Sequence, residues 1–180
     1  MGVSVPLKVK MVVCGFSIGE EIDLDRVVRR LGAKRIMRRK VLVKLEDKKV
    51  IILCGSGRGW VSGYKSVSAC SRAVLSTLIN AGIVPRSLRV FPVNIQVAGE
   101  IGRKVNLRRL SEMSPRCRFL PSVTKYPNLQ YWLESVKGGF AIISDKGKVS
   151  VTGLKSSSDI GKARREIERL LSKALGSRAS

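Results

Sequence analysis

The 180 residues include 35 lysines and arginines against 13 aspartates and glutamates, a formal net charge of +22 at pH 7. This charge indicates an anionic partner, either nucleic acid or a membrane surface. No apolar run approaches the ~20 residues of a membrane-spanning helix, and the N-terminal residues do not form a signal peptide. We therefore expect an intracellular protein with no membrane segment, either one domain or two halves sharing a core.

The cysteine and histidine content argues against a metal site and against most catalytic chemistry. The four cysteines (Cys14, Cys54, Cys70 and Cys117) are far apart, and histidine is absent. Zinc sites normally use closely spaced cysteine or histidine ligands, and histidine is the commonest acid–base catalyst. We expect no metal, no cofactor and no enzymatic activity.

The first half of the chain predicts strands and two helices. The elements predicted in order are a strand over 7–16, a short helix over 19–32, strands over 40–47, 49–55 and 59–63, and a long helix over 67–82. Asp23 is the predicted N-cap of the short helix, and Gly82 is predicted to end the long one. The long helix should bury one face, which comprises Val67, Cys70, Val74, Leu78 and Ile79.

The second half repeats this order. It predicts a strand over 88–99, a short helix over 105–110 with Asn106 in the place of Asp23, strands over 129–136, 139–145 and 148–153, and a long helix over 156–175. The buried stripe of that last helix should consist of Ile160, Ala163, Ile167, Leu171 and Leu175.

Two similar segments mark the repeat most clearly: "GRGWVSGYKS" at 57–66 and "GKVSVTGLKS" at 147–156. They lie 90 positions apart, whereas Met11 and its counterpart Asn94 lie 83 apart, so the second half carries a few extra residues. We predict two repeats, 1–86 and 87–180, the second ending in a short basic tail. Both halves are basic, with net charges of +12 and +10.

These two segments, together with "SIGEEIDLDRVVRRL" and "VLVKLED", resemble the TATA-box-binding protein family in a divergent, archaeal-like form. The resemblance covers roughly residues 7–172. It implies an α+β fold, a duplicated saddle in which one curved antiparallel sheet carries the long helices on its convex face. It also implies that the concave face binds the minor groove of DNA.

Strand alternation predicts which side chains face away from the helices, because successive residues of a strand point to opposite faces. Val149 and Val151 should face the helices, as should Val61, Ile95 and Val97. The opposite face should then carry Arg58, Trp60, Ser62, Asn94, Gln96, Lys148, Ser150 and Thr152.

The resemblance also implies four phenylalanines that wedge between base steps, and this chain lacks them. Those positions correspond here to Arg38, Cys54, Tyr126 and Ser144, with Phe140 as a displaced substitute. Other family contact positions correspond to Met11, Val13, Lys44, Trp60, Asn94, Gln96, Trp132 and Ser150. Without apolar wedges, we do not expect sharp kinking at a TATA sequence.

The segment 29–40 holds seven basic residues and no acidic one, which favours a patch that binds phosphates. Four aromatic residues are candidates for stacking on bases: Trp60, Tyr126, Tyr131 and Trp132. The complete predicted nucleic-acid site comprises Met11, Val13, Arg35, Arg38, Arg39, Lys40, Lys44, Arg58, Trp60, Ser62, Asn94, Gln96, Tyr126, Trp132, Lys148, Ser150 and Thr152.

Two functions remain open at this point. The chain is either a DNA-binding protein with a role in transcription or chromatin, or an RNA-binding, ribosome-associated protein with the same saddle, since RNA is recognised by shape and by stacking of unpaired bases. In either case we expect a monomer with internal pseudo-twofold symmetry, associated with the nucleoid or the ribosome. The long helix at 67–82 has Arg72 as its one charged residue, so either a protein partner covers this helix on the convex face or the helix is buried more deeply.

Overall fold

A computed structural model describes residues 3–120 and 127–176. The strands are β1 (Lys8–Ser17), β2 (Lys34–Met37), β3 (Lys40–Lys44), β4 (Val50–Cys54), β5 (Arg58–Tyr64), β6 (Arg89–Glu100), β7 (Cys117–Leu120), β8 (Asn128–Trp132), β9 (Phe140–Ser144) and β10 (Lys148–Leu154). The helices are α1 (Leu24–Leu31), α2 (Val67–Asn80), α3 (Leu107–Glu112) and α4 (Ser157–Gly176).

The chain divides into two compact units of similar construction. The central unit is Met11–Asn94, and the terminal unit combines Ile95 onward with the N-terminal residues up to Lys10. Strands follow the order β2-β3-β4-β5-β1 in the central unit and β6-β10-β9-β8-β7 in the terminal unit. All pairings within these orders are antiparallel. Each unit therefore has the predicted α+β composition.

The units are not divided at the predicted repeat boundary between residues 86 and 87. The N-terminal segment belongs to the terminal unit because its backbone binds α4: the Val5 N–H donates to Glu168 Oε1 at 2.8 Å. Residues 86–94 belong to the central unit, where the Ser87 hydroxyl donates to the carbonyl of Ile18 at 3.1 Å. The repeat in the sequence and the compact unit are thus offset by about ten residues at each boundary.

Strand alternation builds the core of each unit. In the central unit, Val41, Val43, Ile51, Leu53 and Val61 are buried. In the terminal unit, the buried strand residues are Ile95, Val97, Leu129, Ala141, Ile143, Val149 and Val151, and α4 adds Ala163, Ile167 and Leu171. The five inward-facing residues predicted from the sequence, Val61, Ile95, Val97, Val149 and Val151, are all confirmed.

The ends of the helices also follow the sequence. The Asp23 carboxylate accepts hydrogen bonds from the backbone N–H groups of Asp25 and Arg26, and Asn106 Oδ1 accepts one from Arg109. Both residues therefore cap helices as predicted, because a side-chain oxygen there satisfies N–H groups that lack a partner within the helix. Gly82, with φ of +75°, follows the end of α2.

Of the buried stripe predicted for α2, Val67 is only half-buried and the burial of Ile79 is wrong. Ile79 is 53% exposed, and Thr77 is buried instead. The buried positions Cys70, Val74, Thr77 and Leu78 define a stripe from which residue 79 is rotated away, at about 100° per residue.

The sequence did not predict β2 and β7, the outermost strands of the two units. All four residues of β2 are exposed, and none of those in β7 is fully buried. Neither strand therefore shows the alternation of apolar and polar residues by which a half-buried strand is recognised. The strand predicted over 129–136 is shorter, because the Leu133 N–H bonds the carbonyl of Gly139 in the turn after β8.

Glu166 of α4 forms several hydrogen bonds within the terminal unit. Its carboxylate accepts hydrogen bonds from the Tyr131 hydroxyl at 2.8 Å and from the backbone N–H groups of Glu134 and Ser135 at 2.8 and 2.9 Å. Burial alone would raise the pKa of Glu166, but these hydrogen bonds outweigh burial and hold the pKa below its usual value of 4.5. Burial raises the pKa of Tyr131, and the hydrogen bond from its hydroxyl to Glu166 raises the pKa further.

We predict that Glu166→Gln destabilises the protein at neutral pH by ~2 kcal/mol, because the amide offers one acceptor oxygen where the carboxylate offers two. The lowered pKa means that this contribution is complete above about pH 4.5 and is lost as the pH falls through the folded-state pKa. Urea unfolding at pH 7 and at pH 3 measures the difference.

The matched control is Glu112→Gln, which removes only an exposed ion pair with Arg108 at 3.7 Å and should change stability by less than ~0.5 kcal/mol. Equal effects of the two substitutions at pH 7, or an undiminished effect of Glu166→Gln at pH 3, would contradict the assigned role.

Candidate nucleic-acid interface

The sheet of the central unit has a face that is directed away from the buried core, here called the central face. Pairing places Leu42, Ile52, Trp60 and Gly15 in one row across β3, β4, β5 and β1. Neighbouring positions on this face belong to Lys40, which pairs with Cys54, and to Ser62, which pairs with Val50. None of the side-chain-bearing residues in this row is fully buried. The predicted outward direction of Trp60 is therefore confirmed.

Trp60 is 42% exposed, and Lys40 Nζ lies 5.6 Å from its ring centroid. This cation–π contact holds a positive charge beside an exposed aromatic ring. The side chains of Phe91 and Val93 lie over Gly15, which pairs with Trp60. A Cβ atom on Gly15 would lie only 2.8 Å from the Phe91 ring. The middle of the central face is therefore apolar and aromatic, with a cation beside it.

The other predicted residues of the central unit have mixed placements. Met11, Val13, Lys44, Arg58 and Ser62 alternate with buried residues of their strands and so share the central face. Arg38 and Arg39 lie in the turn between β2 and β3.

Arg35 does not share the central face. It pairs with buried Val41, so it lies on the helical side, where its guanidinium binds the Asp25 carboxylate. Its predicted contact with phosphates, as part of the basic segment 29–40, stays a prediction.

The basic segment 29–40 is partly paired with carboxylates near the start of α1. Arg29 lies 3.8 Å from Asp23, and Arg39 lies 3.3 Å from Glu21. Both pairs are exposed, and exposed pairs contribute only about 0–1 kcal/mol. Such pairs do not prevent a phosphate from replacing the carboxylate.

The terminal unit has a corresponding outward sheet face, here called the terminal face. Its central row consists of Gln130, Ile142, Ser150 and Ala98 across β8, β9, β10 and β6. The Gln96 amide donates to the Ser150 hydroxyl at 3.4 Å. This row is therefore more polar than its counterpart in the central unit.

Aromatic side chains meet at one end of the terminal face. Trp132 and Phe140 pair across β8 and β9 with ring centroids 5.2 Å apart, and Thr152 pairs with Phe140. Tyr131 alternates with Trp132 and is only 5% exposed. Its proposed stacking on a base is therefore wrong, because its ring is in the core and its hydroxyl binds Glu166.

The opposite end of the terminal face is a depression of about 720 Å³. Four lysines line it: Lys8, Lys10, Lys146 and Lys148. Only Lys148 was predicted from the sequence. The first strands of the two halves are offset by 83 residues, which aligns Lys8 and Lys10 with Phe91 and Val93. This alignment is the sequence signal by which the two lysines could have been found.

The four predicted wedge positions hold no phenylalanine. Cys54 is half-buried on the central face, Ser144 lines the depression of the terminal face, and Arg38 lies in a turn. Tyr126 lies outside the described residues. Asn94 is half-buried, at the last position of the central unit.

On the helical side of the central unit, α2 exposes Leu75 and Ile79 beside its single charged residue, Arg72. A protein partner on this side stays a prediction. Within residues 3–120 and 127–176, no cluster of three or more metal-binding side chains occurs. No helix among these residues has both the length and the apolar character needed to cross a membrane.

Comparison with known proteins agrees with this architecture. Residues 90–174 match the family model described as transcription factor TFIID, or TATA-binding protein. The TATA-box-binding protein of Pyrococcus furiosus is 28% identical over 94% of this chain and 91% of its own length. That of Archaeoglobus fulgidus is 29% identical over 91% of this chain and 92% of its own length.

The solved structure of Methanococcus jannaschii TBP superimposes with a TM-score of 0.83 at 26% identity, covering 93% of this chain and 98% of that one. This match confirms the predicted fold class, the α+β duplicated saddle fold. The family consists of DNA-binding transcription factors rather than enzymes. In sequence and in fold, the chain is therefore similar to the TATA-box-binding proteins.

Proposed function

We propose that this protein binds duplex DNA through the central and terminal faces, without the wedging that kinks a TATA sequence. The observation that carries the proposal is Trp60, an aromatic ring exposed on an outward sheet face with Lys40 beside it. An ordinary solvated face has no need of an exposed tryptophan, whereas aromatic rings with nearby cations are typical of surfaces that contact bases and sugars.

The positive charge of the protein supports a large electrostatic contribution to the binding of DNA. The net charge of +22 is shared by both halves, and the faces carry Lys40, Lys44, Arg58 and Lys148. Each phosphate that such a cation neutralises releases condensed counterions, so that binding weakens steeply as salt rises. Backbone contacts of this kind carry no information about base sequence.

The side chains at the wedge positions support weak sequence selectivity. Inserting an apolar side chain between base pairs costs a few kcal/mol of unstacking, which is recovered when the bent DNA contacts more of the protein. Cys54 and Ser144 are too small for this insertion, and Arg38 is charged. We infer that the protein acts as a monomer on the nucleoid, with a binding face on each of its two units.

We predict that a TATA duplex and a scrambled duplex of equal length bind with affinities within about threefold. For six or more phosphate contacts, both affinities should fall by roughly 10³-fold or more between 50 and 200 mM salt. Fluorescence anisotropy with protein freed of nucleic acid measures both quantities.

A structured RNA is titrated in parallel as the competing ligand. A TATA preference above about 30-fold would contradict binding without wedging. Tighter binding of the RNA at every salt concentration would contradict DNA as the ligand and favour the ribosome-associated alternative.

We predict that Trp60→Ala weakens duplex binding roughly tenfold, the loss expected when one aromatic contact of ~1–3 kcal/mol is removed. The melting temperature of the Trp60→Ala variant should remain close to that of the wild type, because the Trp60 ring is exposed rather than in the core. The matched control is Leu75→Ala, which removes an equally exposed apolar side chain from α2. A large loss of melting temperature, or equal losses of affinity in both variants, would show that Trp60 is structural.

A further inference from the structure

The two sheet faces differ systematically at equivalent positions. Gly15 pairs with Trp60 in the central unit, and Ala98 pairs with Ser150 in the terminal unit. Gly15 and Ala98 are 83 residues apart, which is also the offset between Met11 and Asn94. The paired strands β1 and β5 can therefore be compared with β6 and β10 residue by residue.

In the central unit, large apolar side chains fill the middle of the face. The ring of Phe91 and the side chain of Val93 lie directly over Gly15, and Trp60 lies on the strand next to it. Phe91 remains 50% exposed, so these residues form an apolar surface. Such a surface can lie against the sugars and base edges of a groove.

In the terminal unit, the same positions hold small or cationic residues. By the 83-residue offset, Lys8 and Lys10 replace Phe91 and Val93, and Ser150 stands where Trp60 would be. The space left by the missing side chains is the depression of about 720 Å³. This volume lies within the 300–1,000 Å³ typical of sites for small molecules.

The lining of the depression combines three kinds of group. Positive charge comes from Lys8, Lys10, Lys146 and Lys148. Apolar surface comes from Pro6, Ala98, Ile142 and Val149. Polar groups come from Glu100, Asn128, Ser144, Asp145 and Ser150. Among the described residues, the ion pairs involve none of Lys8, Lys10 and Lys148. Within residues 3–120 and 127–176, these three lysines therefore form no ion pair with a carboxylate.

One residue of this lining, Asp145, has a buried acceptor. Its Oδ1 accepts no hydrogen bond from the part of the chain that the structure describes. A buried carboxylate oxygen without a donor is costly. A ligand that contacts the Asp145 carboxylate from the depression would need a hydrogen-bond donor as well as negative charge.

We propose that the depression of the terminal face binds one unpaired nucleotide of DNA. The lysines bind the phosphates on either side, the apolar lining contacts the face of the base, and the carboxylates and hydroxyls accept or donate hydrogen bonds at its edge. A bare phosphate would use only the lysines, and a paired base cannot leave the stack without unpairing at a cost of a few kcal/mol. The inference rests on the proposed DNA binding and specifies which part of the DNA the depression binds.

The test compares three DNAs that differ at one position: a matched duplex, the same duplex with one extra unpaired thymidine, and the same bulge with an abasic residue in place of the thymidine. We expect the thymidine bulge to bind at least tenfold more tightly than the matched duplex. The abasic bulge should lose most of this gain, because it keeps the flexibility of the bulge but lacks the base.

Two variants locate the site. Ser150→Trp fills the depression with the residue that the central unit carries at the equivalent position, and the double variant Lys8→Ala/Lys10→Ala removes two of its cations. Each should lower the ratio of bulge to matched affinity to about one. Lys137→Ala, which removes an exposed lysine of the same unit outside the depression, is the control and should keep the full ratio.

The outcomes separate this inference from the proposed function. Binding of the matched duplex with no gain from the thymidine bulge, or an equal gain from the abasic bulge, would overturn the nucleotide site and leave duplex binding intact. Failure to bind any of the three DNAs would overturn both. If Ser150→Trp fails to fold, by its thermal melt, the lysine variant still decides the question.

Discussion

Each unit of this protein depends on an antiparallel sheet that packs one face against helices. Because strand side chains alternate, filling the helical side with residues such as Val61 and Val149 directs their neighbours Trp60 and Ser150 to the other side. The outward side chains are thereby held by a rigid framework and contribute little to the core. Their chemistry is free to change without loss of the fold, which is what the two units show.

The duplicated framework carries two different surfaces. The central face is apolar where Phe91 and Trp60 lie, and the terminal face is recessed and cationic where Lys8 and Ser150 take their places. Neither retains the apolar wedges that the family resemblance led us to look for. The protein is similar to the TATA-box-binding proteins, and we propose that it binds DNA through charge and the capture of an unpaired nucleotide rather than through wedging.

The sequence predicted the features that depend on neighbours in the chain. The cap at Asp23 and the inward direction of Val149 follow from local patterns, and both are confirmed. It did not predict β2, which is exposed and lacks alternation, or the burial of Tyr131, which depends on Glu166 far away in the chain. The depression also escaped prediction, because it consists of space left by small side chains and becomes visible only when paired strands are compared.

Protection of a native thiol tests the central claim, that DNA binds the outward sheet faces, without altering those faces. Cys54 lies on the central face, whereas Cys14 and Cys70 are buried and burial raises the pKa of Cys117 to about 11. We predict that a scrambled duplex at low salt slows maleimide labelling of Cys54 at least fivefold and leaves an introduced thiol on the helical side, Ser76→Cys, unaffected. Unchanged labelling of Cys54, or protection of Ser76→Cys instead, would contradict the account.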